Sequence, residues 1–191
     1  MFRYLILSSV ITAALSAGTF TVTSPGPLTS TGIGVNIANN DGFDLLRVTF
    51  GLAGTTSTVV GQSLVIDGVG GHFSESGPPA GTFSYFQNTP SGGGFLNFGY
   101  TFTGFNTGES FSFSWDPDIA TDGSYGATVS ELDGITVLLV TSGGTVNGVM
   151  RRDGQGNVSA TINSPVPEPA SLMMMGGGLL GLLGRRLWKR R

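Results

Sequence analysis

Ser110-Phe111-Ser112-Phe113-Ser114-Trp115 alternates hydroxyl and aromatic side chains without a slip. Successive side chains of a strand point to opposite faces, so this stretch puts three rings on one face and three serines on the other. The same period of two recurs on both sides of it. Phe20 and Val22 alternate with Thr19, Thr21 and Thr23. Leu46, Val48, Phe50 and Leu52 oppose Arg47, Thr49 and Gly51, and Leu96, Phe98, Tyr100 and Phe102 oppose Asn97, Gly99, Thr101 and Thr103. Residues 59–66, 146–150 and 158–162 read as further strands, and 135–140 is a nearly continuous apolar run, as expected of a strand buried on both faces. Turn chemistry separates these runs at Asn40-Asp41-Gly42, Asp67-Gly68, Ser91-Gly92-Gly93-Gly94, Asp122-Gly123, Asp133-Gly134 and Asp153-Gly154. Residues 18–163 are therefore expected to form one all-β domain, an antiparallel β-sandwich of jelly-roll-like form.

Composition narrows the chemistry. The chain has 191 residues, no cysteine, 32 glycines and only 11% charged residues. Disulfides, thiolate metal sites and cysteine nucleophiles are excluded. The whole chain carries a net charge of −3. Between Gly18 and Pro165 the basic residues are Arg47, Arg151 and Arg152, three against eleven acids, so the body is −8. An acidic body without a basic patch argues against nucleic-acid binding.

The cations collect at the far end. Val166-Pro167-Glu168-Pro169-Ala170-Ser171 precedes an apolar run over 172–183, then Arg185, Arg186, Lys189, Arg190 and Arg191. The two prolines hold Glu168 on an extended strip. As a helix the run spans ~18 Å against ~30 Å of bilayer hydrocarbon, a short apolar helix that becomes a marginal span when Trp188 and the arginines snorkel. The basic end would act as a membrane stop on the cytoplasmic side. This tail resembles the PEP-CTERM sorting signal. The resemblance covers 166–191 alone and implies recognition at Pro167, Glu168 and Pro169 by an exosortase, a membrane-embedded processing enzyme. It further implies an exported protein of a Gram-negative envelope, often one rich in extracellular polysaccharide. The domain so defined runs over 164–191, with 164–169 as a linker.

The other end agrees with export. Arg3, an apolar stretch over 4–15 and the small residues Ser16, Ala17 and Gly18 outline a signal peptide over 1–17, with cleavage after Ala17 or after Ser16 fitting equally.

Chemistry within the body is sparse. His72 is the single histidine, and no Gly-x-Ser-x-Gly elbow accompanies it, so no Ser/His/Asp site assembles. Asp116, Asp118 and Asp122 lie close in sequence on an expected loop and are candidate hard-oxygen ligands for calcium, although the spacing is not that of an EF-hand. Turn-forming is the plainer role for all three. With Glu131 and Asp133 they also supply the carboxylates of a candidate glycosidase pair. Tyr85, Phe86, Tyr100, Trp115 and Tyr125, with Phe73 and Phe83, are candidate platforms for sugars. Threonine is abundant but lacks the regular repeat of a flat ice-binding face. The expectation is a non-enzymatic envelope or extracellular-matrix protein without a cofactor, structural, adhesive or polysaccharide-associated. It passes transiently through the inner membrane to the cell surface. The alternatives are a secreted carbohydrate-active hydrolase and a calcium-stabilised carbohydrate-binding module.

Overall fold

The computed structural model describes residues 18–164 apart from 25–32, 56, 58, 60, 68–71 and 124. The leader and the sorting tail expected from the sequence, including its apolar helix, lie outside the described residues. Among the described residues the regular structure is strand, with one 3-10 turn at Val129–Leu132. The strands are β1 (Thr19–Ser24), β2 (Ile33–Asn40), β3 (Leu45–Gly51), β4 (Leu64–Asp67), β5 (His72–Ser76), β6 (Thr82–Ser91), β7 (Gly94–Phe105), β8 (Ser110–Trp115), β9 (Pro117–Ile119), β10 (Thr136–Thr141), β11 (Gly144–Val149), β12 (Arg151–Arg152) and β13 (Val158–Asn163).

Two antiparallel sheets face one another. The first has the order β12-β13-β1-β2-β8-β5, and the second runs β11-β10-β3-β7 and on to β4 and β9. Register explains the second sheet. Asn97 of β7 stands opposite both Gly51 and Asn88, and Phe95 stands opposite both Ile66 and Pro90. Strands β3 and β4 therefore lie end to end along one side of the long β7, and β6 lies along the other. Pro90 is placed on β6, an edge strand, where its missing N–H costs no ladder bond.

The core forms where the two aromatic faces meet. Phe50 and Phe98, neighbours on the second sheet, stack at 5.0 Å between ring centroids. Across the interlayer gap Phe98 meets Trp115 at 4.7 Å and Phe50 meets Phe113 at 5.7 Å. Tyr100 meets Phe111 at 4.7 Å. Phe50, Phe98, Tyr100, Phe111 and Trp115 are fully buried. Each such ring contributes roughly 1.5–3 kcal/mol by leaving water, and favourable edge or offset pairing adds ~0.5–1.5 kcal/mol per pair. Gly99 sits between two of these rings on β7, where a Cβ would lie 2.0 Å from the Val48 carbonyl oxygen. A side chain there would push β3 away from β7.

Four details differ from the sequence reading. A bulge shifts the β3 register between Leu45 and Arg47. It buries Leu45 and turns Leu46 outward, to 41% exposure, so Leu46 does not share the face of Val48 and Phe50. Strand β10 is covered on one face only: Val137 and Leu139 are buried and Leu138 is 41% exposed, because the outer side of the second sheet has no further layer among the described residues. Strand β4 starts at Leu64 and not near Val59, since Gln62 N–H closes a turn onto the Val59 carbonyl. Ser164, read as linker, is buried and bonded to the body through its N–H to the Gly18 carbonyl at 3.2 Å.

Leu138 and Leu139 are one residue apart with opposite environments. Leu139→Ala is expected to cost about 2–5 kcal/mol and Leu138→Thr less than about 0.5 kcal/mol. Urea denaturation of the two variants reads the difference directly.

Candidate functional site

The acidic candidates are dispersed. Asp116 and Asp118 flank Pro117, but the expected loop is the short strand β9, which pairs with β4 at Val65↔Asp118. Asp118 is buried, Asp116 is half-buried and Asp122 is exposed at an isolated bridge to Ile119. Among the described residues no three His, Asp or Glu side chains converge on a point where an ion could sit. Glu131 is buried and used as a cap. Its Oε2 accepts from Thr128 N–H at 2.8 Å and from the Thr128 hydroxyl at 3.0 Å, and its Oε1 accepts from the Tyr125 hydroxyl. Asp133 is paired at the surface with Arg151 at 3.3 Å. A carboxylate with three donors fixed on it is held in place and tied to structure.

The aromatic candidates are occupied as well. Trp115 and Tyr100 are core residues, and Phe83, Tyr85 and Tyr125 pack against the core from its margins. Phe86 points to the outer face of the second sheet, where the Arg47 guanidinium lies 4.2 Å from its ring centroid. The backbone of His72 opens β5 opposite Trp115, while the side chains of His72 and Phe73 lie outside the described residues. Among the described residues no aromatic ring is broadly exposed. A polar link joins the two sheets: the Tyr100 hydroxyl of β7 donates to Glu75 Oε1 of β5 at 3.2 Å. Burial, then the charge of Glu75, pushes the Tyr100 phenol well above the ordinary tyrosine range, so it remains a donor at every physiological pH.

What the sequence did not disclose is how its polar half-strands add up. On the outer face of the first sheet the registers align rows across five strands. Thr161, Thr21, Ala38 and Ser110 form one row. Ser159, Thr23, Asn36, Ser112 and Ser76 form the next. Gly34 stands beside Ser114 in a third. Neighbours repeat at about 4.8 Å across the strands and ~6.7 Å along them. No Asp, Glu, Lys or Arg occupies these positions; Arg151 stands at the border, opposite Ser159. The Asn36 amide donates to Ser112 Oγ at 2.8 Å, fixing the middle of the array. There Gly34, Asn36, Ser74, Ser112 and Ser114, together with Val35 and Phe113, line a shallow and largely apolar depression of about 320 Å³. These rows offer neutral donors and acceptors in a lattice.

Residues 165–191 match the family described as the PEP-CTERM protein-sorting motif. The match takes in Pro167, Glu168 and Pro169 and all five cations of the basic end. It implies an exported protein sorted by an exosortase-type membrane enzyme. Comparison with curated proteins returned no match, and neither did comparison with solved structures. Among the described residues no helix is long and apolar enough to cross a membrane.

Glu131→Ala leaves Thr128 N–H and the Tyr125 hydroxyl without their acceptor. The expected cost is about 1–3 kcal/mol of stability, read from the urea midpoint of the purified variant.

Proposed function

We propose that the body is a non-enzymatic, jelly-roll-like module of the cell surface or extracellular matrix that associates with neutral polysaccharide through the outer face of its first sheet. The observation that carries this reading is the uncharged hydroxyl and amide array on a body of net charge −8, whose acids lie at turns and edges. A neutral glycan presents hydroxyls at close spacing. It gains from a lattice of neutral partners and needs no desolvated charge. The use of Glu131 as a cap and the pairing of Asp133 with Arg151 support binding over hydrolysis. The sorting tail supplies delivery: export, a stop at the inner membrane, processing near Pro167-Glu168-Pro169, and passage to the surface.

Two experiments separate delivery from binding. Replacing Pro167, Glu168 and Pro169 with alanine is expected to leave the chain unprocessed in the inner membrane, read by fractionation and immunoblotting; unchanged release would contradict the sorting role. For the face, electrophoresis through gels containing the producing cell's neutral polysaccharide should retard the exported protein. A Thr21→Glu, Ser112→Glu double variant should lose tenfold or more in affinity, because each charge must be desolvated against a neutral ligand. Thr49→Glu, on the outer face of the other sheet, should keep wild-type retardation. Equal loss in both variants would contradict the assignment to this face.

A further inference from the structure

Three buried polar atoms among the described residues lack a hydrogen-bond partner: Arg47 Nε, Trp115 Nε1 and Asp41 Oδ2. The third belongs to an acid, and an uncompensated buried carboxylate is the costliest of the three. Asp41 is 1% exposed. Its surroundings hold it rigidly. Its N–H donates to Asn39 Oδ1 at 3.0 Å, and its carbonyl accepts from the Thr107 hydroxyl. Its Oδ1 accepts from Gly42 N–H at 2.6 Å and from the Ser164 hydroxyl at 3.0 Å. The described cations are Arg47, Arg151 and Arg152, and none of them forms an ion pair with it.

Against this carboxylate lies Gly18. A Cβ on Gly18 would fall 2.2 Å from Asp41 Oδ1 and 2.7 Å from its Cγ, so only glycine fits. The amide nitrogen of a residue is ~2.5 Å from its Cβ position, which bounds the Gly18 nitrogen within ~4.7 Å of Oδ1. The Gly18 carbonyl is in turn held by Ser164 N–H at 3.2 Å. Asp41 thus clamps the first and last residues of the described body together.

We infer that the export leader is removed by hydrolysis of the Ala17–Gly18 bond, and that the α-ammonium so created seats on the Asp41 carboxylate as its buried counter-ion. The inference rests on the reading of residues 1–17 as a cleaved leader. In the step the amide C–N bond breaks, the hydroxide of water goes to the Ala17 carbonyl carbon, and its proton goes to the Gly18 nitrogen, which is then protonated from solvent. A signal peptidase is the catalyst. The product amine carries three donors where the peptide had one, and supplies the charge that Asp41 Oδ2 lacks. Cleavage one residue earlier would set the ammonium on Ala17, beyond the residue that touches the acid. The processed chain is locked in a way that the precursor is not.

The test uses the full chain, expressed with its own leader in a Gram-negative host and isolated after export. Mass spectrometry is expected to find Gly18 as the N-terminus. At neutral pH an acylating reagent should label that amine much more slowly in the native protein than after unfolding in urea. Asp41→Asn should lower Tm by about 5 °C or more in the Gly18-started protein. In a chain with Ala-Ser inserted after Ala17, so that cleavage leaves two extra residues, the same substitution should cost less than about 1 °C. A mature terminus at Ala17, equal labelling of native and unfolded protein, or equal loss of Tm in both backgrounds would overturn the inference and leave the sorting assignment intact. Retention of Met1 in the exported protein would overturn the leader and the inference together.

Discussion

The contact on which the rest depends is the meeting of Phe98 with Trp115 and of Phe50 with Phe113 across the gap between the sheets. Around these rings an aliphatic layer that includes Ile37, Val48, Leu64, Val137 and Leu139 completes the same buried cluster. No disulfide joins the sheets, and the body has only three cations to set against its eleven acids. Rings are the economical answer, since a single buried Phe removes as much apolar surface as several alanines. Once they occupy the interior, the period of two forces every intervening residue outward, and the identity of those residues becomes the chemistry of the surface.

That constraint links core to function. Strand β8 alternates Phe, Phe and Trp with three serines, so the same six residues build the core and supply one position to each of the three rows of the neutral face. β1 does likewise with Phe20 and Val22 inside and its threonines outside. Such a face stays hydrated through hydroxyls and amides. The body's acids are thereby released for turns and caps, as at Glu131, and for the junction where Asp41 holds Gly18 and Ser164. Gly18 and Ser164 meet there, joined by the Ser164 N–H on the Gly18 carbonyl.

Alternation made most of the fold legible in advance. Strands β1, β7, β8 and β13 stand where the pattern puts them, because each is buried on one face and its register is enforced. Two of the differences trace to neighbours that a single strand cannot show. Whether a β-branched or leucine side chain on the outer face is covered depends on a layer that a single strand cannot reveal. So 135–140 read as doubly buried, while Leu138 faces outward. The bulge at Leu45 is likewise a property of the β3–β7 pair and leaves no mark on β3 alone. The polar rows were invisible for a related reason. Asn36 and Ser112 are seventy-six residues apart in sequence, and only strand order brings them to 2.8 Å. Asp41-Gly42 carries turn chemistry in the sequence, and nothing local shows that Gly18 rests against Asp41.

The central claim is that a folded exported body is followed by a segment used for sorting and then cut. Intact-mass measurement of the protein recovered from the cell surface or medium tests it most directly. The account predicts a polypeptide whose C-terminus lies near Pro167-Glu168-Pro169, without the apolar run and the arginines. A surface protein that ends at Arg191 would contradict it.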